Sequence, residues 1–201
     1  MSATLAQLGS ATVHEAYGRR GALPCAIKPV WAGARVFGRA FTVACAPADN
    51  LWLHRAIDAA APGDVLVADV GGHREAGYWG ELMTYAAQRR RLGGLVIDGG
   101  VRDVERITAL GFAVFASAIC IRGTTKAAAH TGSIGEGVQI GEVGVASGDT
   151  VLGDADGVVV VSAAELAAVT EAAWMRAEHE REIMHRLAGG ASTLELFGLS
   201  E

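Results

Sequence analysis

The sequence contains few cysteines and few lysines, and both shortages limit its chemistry. Three cysteines, Cys25, Cys45 and Cys120, are odd in number and widely spaced, which fits neither a disulfide framework nor a metal-ligand pattern. We interpret them as small buried hydrophobic residues. The only two lysines, Lys28 and Lys126, fall in predicted loops rather than in an obvious buried pocket. Schiff-base chemistry is therefore disfavoured.

Long apolar runs and a basic leader are also missing. No apolar run reaches the roughly 18 residues that a membrane span requires. The first twenty residues lack the basic start and apolar centre of a signal peptide. We therefore expect a cytoplasmic protein with no membrane partner.

Positive charge is scarce, and the common nucleotide and zinc motifs are absent. The net charge is −5, and the longest basic run is Arg89–Arg91, at the predicted end of a helix, where cations are favoured. This balance argues against a nucleic-acid partner. The six histidines form no i,i+4 pair and no H-E-x-x-H, so hydrolase-type zinc is disfavoured. No G-x-S-x-G, P-loop or G-x-G-x-x-G is present.

The 201 residues are predicted to form a single α/β domain, with no repeat and no linker. Residues 65–118 alternate strand, helix, strand, helix and strand, and the strands are nearly continuous apolar runs, as in sheets covered on both faces. Many short β segments follow in residues 119–161 and add a β layer. A long C-terminal helix is predicted at about 162–188, with a capping box formed by Ser162 and Glu165.

The remaining elements are predicted from periodicity and from turn residues. Ser10 or Thr12 is a candidate cap for the first helix, and Asp49 or Asn50 for the second. We predict a loop at 21–38, strands at 39–46, 65–69, 95–100 and 112–118, and helices near 78–94 and 102–111. The segment "GDADG" (153–157) is predicted to be a hairpin turn, because it lacks the twelve-residue spacing of a calcium loop.

Two predicted strand ends carry candidate functional residues. In open α/β sheets, ligands bind outside the carboxyl ends of the strands. After the strand that ends at Asp69, a glycine-rich loop leads to a helix whose first amides, Gly80 to Met83, form an anion site suited to a small carboxylate. After the strand containing Asp98, Arg102 and Asp103 lie at the start of the next predicted helix. Because both ends belong to neighbouring β-α units, we expect them to face one cleft.

Each of these residues also has a purely structural interpretation. Aspartate is among the best helix caps, so Asp103 could simply cap the next helix. Arg102 could be a solvated surface residue, and Glu81 at a helix start is favoured by the helix dipole alone. If these acids bind a metal, their oxygen ligands suit Mg²⁺ or Mn²⁺ held with several waters.

The sequence resembles the family that joins class II 4-hydroxy-4-methyl-2-oxoglutarate aldolases to the RraA-like regulators of RNase E activity. The resemblance covers most of the chain and includes "ADNLWLHRAIDAAAPGDVLVADVGG" and "GELMTYAAQRRRLGGLVIDGGVRDVERITALGFAVFA". Its most diagnostic part is a glycine followed about twenty residues later by Arg-Asp. Gly80–Glu81 and Arg102–Asp103 match this pattern.

The resemblance implies a role for each matching residue. Asp103 would bind a divalent metal largely surrounded by waters, and Glu81 would help to hold those waters. Arg102 would bind the keto oxygen and carboxylate of a pyruvate unit. Beside Gly80, the backbone amides of Leu82 and Met83 would hold the pyruvate carboxylate. The expected activity is that of a carbon–carbon lyase that releases pyruvate from a 2-oxo acid and decarboxylates oxaloacetate.

The resemblance also implies an assembly. Such proteins are similar to swivelling β/β/α domains, which are phosphohistidine-domain-like, and form homotrimers or homohexamers. An acid from the C-terminal helix of an adjacent subunit completes the site, and Glu180 is the best match, with Glu178 second. The alternative function is that of a non-catalytic RraA-type regulator of RNase E.

The sequence departs from the family pattern at one position. The family places another acid three residues after the aspartate, where this chain has Arg106, with Glu105 one residue earlier. On a helix that shift rotates the acid by about 100°. RraA-type regulators often lack the aspartate after the arginine, so the presence of Asp103 favours an enzyme.

Overall fold

A nine-stranded sheet lies at the centre of the computed structural model, which describes residues 4–199. The first half contains α1 (Ser10–Ala16), β1 (Lys28–Pro29), β2 (Val36–Cys45), α2 (Leu51–Ala59), β3 (Val65–Asp69), β4 (Gly77–Trp79), α3 (Glu81–Arg89) and β5 (Gly94–Val101). The second half contains α4 (Val104–Leu110), β6 (Val114–Ile119), β7 (Gly132–Ile134), β8 (Val138–Ile140), β9 (Val143–Val145), β10 (Thr150–Asp154), β11 (Gly157–Val161), α5 (Leu166–Ala188) and α6 (Thr193–Leu196).

The strands follow the order β1-β6-β5-β3-β2-β10-β11, with β4 added to β5 and β7 added to β2. Strands β2, β3, β5 and β6 run parallel, whereas β10 pairs antiparallel with β2 and with β11. The Leu23 amide donates to the Val158 carbonyl (2.9 Å), and the Lys28 amine donates to the Asp156 carbonyl. These bonds bring the two ends of the sheet together, so the sheet nearly closes on itself. The predicted mixed α/β class with a long C-terminal helix is confirmed.

The parallel strands are apolar because both of their faces are covered. All four residues from Val65 to Ala68 are fully buried. Helices α2, α3 and α4 pack on one face, and the separate β8–β9 hairpin packs on the other. Helices α1 and α5 pack together over β10 and β11. The "GDADG" turn joins β10 to β11, as predicted.

Two predicted helix caps are wrong because their side chains have stronger partners elsewhere. The Ser10 hydroxyl donates to buried Asp154 (2.6 Å), and Gly9 takes the cap position of α1. Helix α5 begins at Leu166 rather than at 162, without the predicted capping box. The Glu165 carboxylate instead accepts hydrogen bonds from the Tyr17 hydroxyl and the Arg20 guanidinium, each at 2.7 Å.

Several short elements were not predicted. The predicted loop at 21–38 contains β1 and the start of β2. The helix predicted near 78–94 begins only at Glu81, because Tyr78 and Trp79 belong to β4. The cysteine interpretation is correct for Cys45, where burial raises the thiol pKa to about 12, and wrong for Cys25, which is exposed. Cys120 is partly buried. None of the helices between residues 4 and 199 is long and apolar enough to cross a membrane.

Candidate active site

The loops after β4 and β5 lie side by side because the two strands pair in parallel. Trp79 is opposite Val101 in this pairing, and the Arg102 amide continues it by donating to the Trp79 carbonyl (2.9 Å). Gly80–Glu81 and Arg102–Asp103, about twenty residues apart in sequence, therefore leave the sheet at the same point. This pairing of β4 with β5 brings the two loops together, as the predicted shared cleft requires.

The Asp103 side chain does not cap its own helix. Asp103 holds the N-cap position of α4 without accepting a cap hydrogen bond, and its backbone is left-handed (φ 57°, ψ 36°). The carboxylate turns instead toward α3, where Oδ2 accepts a hydrogen bond from the Glu81 amide (3.0 Å). A left-handed non-glycine residue costs about 1–2 kcal/mol. The interpretation of Asp103 as a cap is wrong, and the strained backbone directs a half-exposed carboxylate toward the cleft.

Gly80 is required by this close approach. A Cβ added at Gly80 would lie 2.3 Å from Asp103 Oδ2 and 3.3 Å from Arg102 Cγ. The backbone of Gly80 is extended, so the requirement is for space rather than for an unusual φ. Only glycine lets the start of α3 approach the Asp103 carboxylate this closely.

We expect Gly80→Ala to displace the Asp103 carboxylate, because the added methyl occupies its position. The apparent Mn²⁺ dissociation constant, measured by calorimetry, should rise at least about tenfold, while overpacking lowers the free energy of unfolding by about 1–3 kcal/mol. Gly137→Ala is the matched control, since its added Cβ would have no neighbour nearer than 3.7 Å. Unchanged Mn²⁺ binding in Gly80→Ala would contradict the expectation that Asp103 is the metal ligand.

The first turn of α3 offers free amide donors. The first amides of a helix have no partner within the helix. Here the Glu81 amide is bound to Asp103, whereas no acceptor in residues 4–199 lies opposite the Leu82 and Met83 amides. These two donors and the helix dipole favour an anionic group at this point.

The Arg102 guanidinium is available for a ligand. Its side chain is half-exposed, and Arg102 Nε lies 3.9 Å from Asp103 Oδ2, the one ion-pair contact it has within the described part of the chain. An exposed pair at this distance contributes little to stability. Gly77 makes room for the arginine stem, because an added Cβ would lie 3.1 Å from Arg102 Cβ and Cδ.

One cavity of about 480 Å³ joins these groups. Every predicted site residue from the two loops lines it: Gly80, Glu81, Leu82, Met83, Arg102 and Asp103. The cavity therefore presents one guanidinium, two carboxylates and a helix N-terminus to a single ligand.

The predicted C-terminal acids lie elsewhere in the same chain. Glu180 Oε1 is 2.8 Å from Arg176 Nε, and the Thr12 hydroxyl donates to Glu180 Oε2 at 3.4 Å. Glu178 pairs with Arg181. No residue of α5 lines the cavity of its own chain. A role for Glu180 or Glu178 requires an adjacent copy, as the prediction states.

Three further cavity residues were missed from the sequence. Asn50 is almost fully buried; its amide donates to the Tyr78 carbonyl (2.8 Å), and its Oδ1 has no partner within residues 4–199. His54 lies one turn later on α2. Both follow β2, whose carboxyl end lies at the same edge as that of β3, so the strand-end rule could have identified them. Lys126 also lines the cavity, contrary to prediction.

A buried carboxylate holds the loop that carries Lys126. Asp49 is fully buried and accepts hydrogen bonds from the Leu51 amide (2.9 Å), the Thr125 hydroxyl (2.9 Å), the Ala127 amide (2.6 Å) and His130 Nδ1 (3.1 Å). Burial opposes ionisation of Asp49, but these hydrogen bonds outweigh it and lower its pKa. Asp49 therefore joins the start of α2, where it accepts from the Leu51 amide while Asn50 holds the cap position, to the loop on the far wall of the cavity.

The residues present fit a divalent ion that keeps most of its waters. Within residues 4–199, no three His, Cys, Asp or Glu side chains converge to form a cage. Mg²⁺ is commonly held by one or two carboxylates and several waters. Asp103 Oδ2 already accepts one hydrogen bond, whereas no partner is found for Oδ1 in the described residues. Asp103 would bind the ion directly, and Glu81 would hold its waters.

Comparison with known proteins identifies the family. The RraA-like family model, described as Aldolase/RraA, matches residues 10–160. The chain belongs to this family. A relative from Halalkalibacterium halodurans, named "Putative 4-hydroxy-4-methyl-2-oxoglutarate aldolase", is 37% identical over 142 residues, which is 69% of this chain and 65% of that relative. The match thus spans slightly less than two thirds of the relative's length.

Solved structures of RraA-like proteins share the fold. The Streptomyces coelicolor protein RraAS2, described as an unusual member of the RNase ES inhibitor RraA protein family, superimposes with a TM-score of 0.79 at 26% identity, covering 90% of this chain and 95% of that one. An uncharacterized protein from Pseudomonas syringae pv. tomato reaches a TM-score of 0.87 at 26% identity, covering 98% and 92%. The RraA-like family thus includes proteins named as aldolases and proteins named as inhibitors.

Proposed function

We propose that this RraA-like protein is a divalent-metal-dependent class II pyruvate aldolase. Its substrates would be 4-hydroxy-4-methyl-2-oxoglutarate or 4-carboxy-4-hydroxy-2-oxoadipate, and it would also decarboxylate oxaloacetate. The observation that carries the proposal is the convergence of Arg102, the Asp103 carboxylate and the free amides of Leu82 and Met83 on one cavity.

The reaction must stabilise the pyruvate enolate, whose charge develops on the C2 oxygen. Mg²⁺ or Mn²⁺, when bound at Asp103, supplies Lewis-acid stabilisation of that charge. The Arg102 guanidinium donates to the keto oxygen and to the carboxylate, for which its planar fork is suited. The Leu82 and Met83 amides hold the carboxylate and fix the orientation of the pyruvate unit. Glu81 orients a water at the edge of the site.

The same groups serve decarboxylation, because loss of CO₂ from oxaloacetate leaves the same enolate. Completion of the site by Glu180 or Glu178 of an adjacent copy, in a homotrimer or homohexamer, is part of the proposal. The proposal also includes a cytoplasmic location for the protein.

We expect the purified protein to release pyruvate from both hydroxy acids and from oxaloacetate when Mg²⁺ or Mn²⁺ is present. Lactate dehydrogenase and NADH report the pyruvate continuously. EDTA should remove at least about 99% of the rate, because Lewis-acid stabilisation contributes several kcal/mol to the barrier. Excess Mg²⁺ should then restore the rate. Absence of pyruvate from all three acids would refute the aldolase.

The second candidate is a non-catalytic regulator of RNase E, favoured by the structural similarity to RraAS2. The exposed part of α5, with its Glu178–Arg181 pair, offers a charged surface for such a partner. Co-purification with RNase E, together with no pyruvate release, would favour this candidate over the aldolase.

A further inference from the structure

His54 has a ring nitrogen with no assigned role in the cavity. The side chain is half-buried on the wall formed by α2, and its Nε2 is buried with no hydrogen-bond partner within residues 4–199. Buried polar atoms nearly always have a partner, and leaving one without costs free energy. Because Nε2 is closed off in this conformation, a substrate hydroxyl in the cavity can become its partner only after the imidazole ring turns toward the cavity.

The surroundings keep His54 neutral. Burial lowers the pKa of the imidazole, and the charge of Lys126 lowers it further, while Asp58 acts weakly in the opposite direction. The ring is therefore unprotonated near pH 7, the state in which Nε2 can accept a proton. Lys126 and Asp58 are the charged groups that act on it, from the opposite loop and from α2 itself.

We propose that His54 is the general base that removes the proton from the C4 hydroxyl during aldol cleavage. The inference rests on the proposed aldolase function and adds a residue to the same cavity. Arg102, Asp103 and the start of α3 would bind the pyruvate unit, and C4 would then face the remaining walls of the cavity, which α2 and the Lys126 loop line.

The step balances without another reactant. His54 Nε2 takes the hydroxyl proton, the C4–O bond becomes a carbonyl, and the C3–C4 bond breaks. Its electron pair forms the C2–C3 double bond of the enolate, with the negative charge on the C2 oxygen. The imidazolium then returns its proton to C3, which yields pyruvate and restores neutral His54.

Oxaloacetate separates this role from substrate binding, because it has no C4 hydroxyl and its decarboxylation needs no base there. We expect His54→Gln to lower kcat for cleavage of 4-hydroxy-4-methyl-2-oxoglutarate by about 10²–10⁴-fold. The kcat for oxaloacetate decarboxylation should stay within about twofold. His14→Gln, which changes a histidine outside this cavity, is the matched control and should leave both rates unchanged.

A pH profile and a chemical rescue give independent measurements. The wild-type kcat for cleavage should fall as the pH drops through the His54 pKa, which lies below the ordinary value of about 6.5. This acid limb should disappear in His54→Gln and should be absent from decarboxylation. In His54→Ala, added imidazole should restore cleavage in proportion to its concentration.

Three results would overturn the proposal. Equal losses in cleavage and decarboxylation would make His54 a substrate-binding residue. Unchanged cleavage would remove it from the chemistry. A wild-type protein that releases no pyruvate from any of the acids would overturn the aldolase itself, and the base with it, which is distinguishable from a failure confined to the His54 variants.

Discussion

Replacing Asp103 by alanine is expected to abolish metal-dependent pyruvate release while the protein stays folded. The substitution removes the one carboxylate that the left-handed turn after β5 directs at the first turn of α3. Loss of Lewis-acid stabilisation removes several kcal/mol, so kcat/KM should fall at least about 10³-fold. The coupled lactate dehydrogenase assay measures the rate, and calorimetry with Mn²⁺ measures the metal.

The Asn variant separates charge from geometry at the same position. Asparagine tolerates the left-handed backbone and can still accept the hydrogen bond from the Glu81 amide. Asp103→Asn should therefore unfold at nearly the wild-type temperature, yet lose Mn²⁺ binding and activity almost as fully as Asp103→Ala. The Ala variant should also lose about 1–2 kcal/mol of stability, from the hydrogen bond and the backbone preference. Activity retained in Asp103→Asn would exclude the carboxylate as the metal ligand.

The central parallel strands could be predicted from the sequence because each is a nearly continuous run of apolar residues. Strand β3 occupies the predicted residues Val65–Asp69, since a short continuous apolar run between turn residues is typical of a strand buried on both faces. The same rule located β5 and β6 to within two residues at each end. Because ligands bind outside the carboxyl ends of parallel strands, the positions of these strands also predict the edge of the sheet that carries the site.

Strand β4 could not be predicted because it exists only through its neighbour. Gly77 falls in the predicted glycine-rich loop, whereas Tyr78 and Trp79 fall at the start of the predicted helix. Their extended form depends on pairing Gly77 with Gly100 and Trp79 with Val101. The direction of the Asp103 carboxylate has the same origin. A local rule favours a helix cap, whereas the space left by Gly80 and the amide of Glu81 provides a different partner.

The far wall of the cavity was missed for a related reason. Lys126 lies in an irregular segment whose position is set by buried Asp49, and no periodicity marks such a loop. In the segment before α3, Tyr78 lines the cavity, while His73 bonds the Tyr78 hydroxyl (2.9 Å) and Arg74 pairs with Asp98 (3.3 Å).

Replacing Arg102 by methionine is expected to lower kcat/KM by about 10²–10³-fold, because it removes a donor from the oxygen on which charge develops. Methionine preserves most of the stem that packs beside Gly77, so the loss of folding stability should stay below about 1 kcal/mol. Arg106→Met, in the first turn of α4 and outside the cavity, is the matched control and should keep full activity.

Arg102→Lys tests whether the planar fork or the charge alone is needed. Lysine keeps one positive charge but donates from a single point, so it cannot hold the keto oxygen and the carboxylate edge together. We expect its kcat/KM to fall between those of wild type and Arg102→Met. Oxalate, a planar mimic of the enolate, should bind more weakly in the same order, as measured by inhibition. Equal oxalate affinity in all three proteins would place Arg102 outside the enolate site, since a residue that meets the developing charge must also bind its mimic.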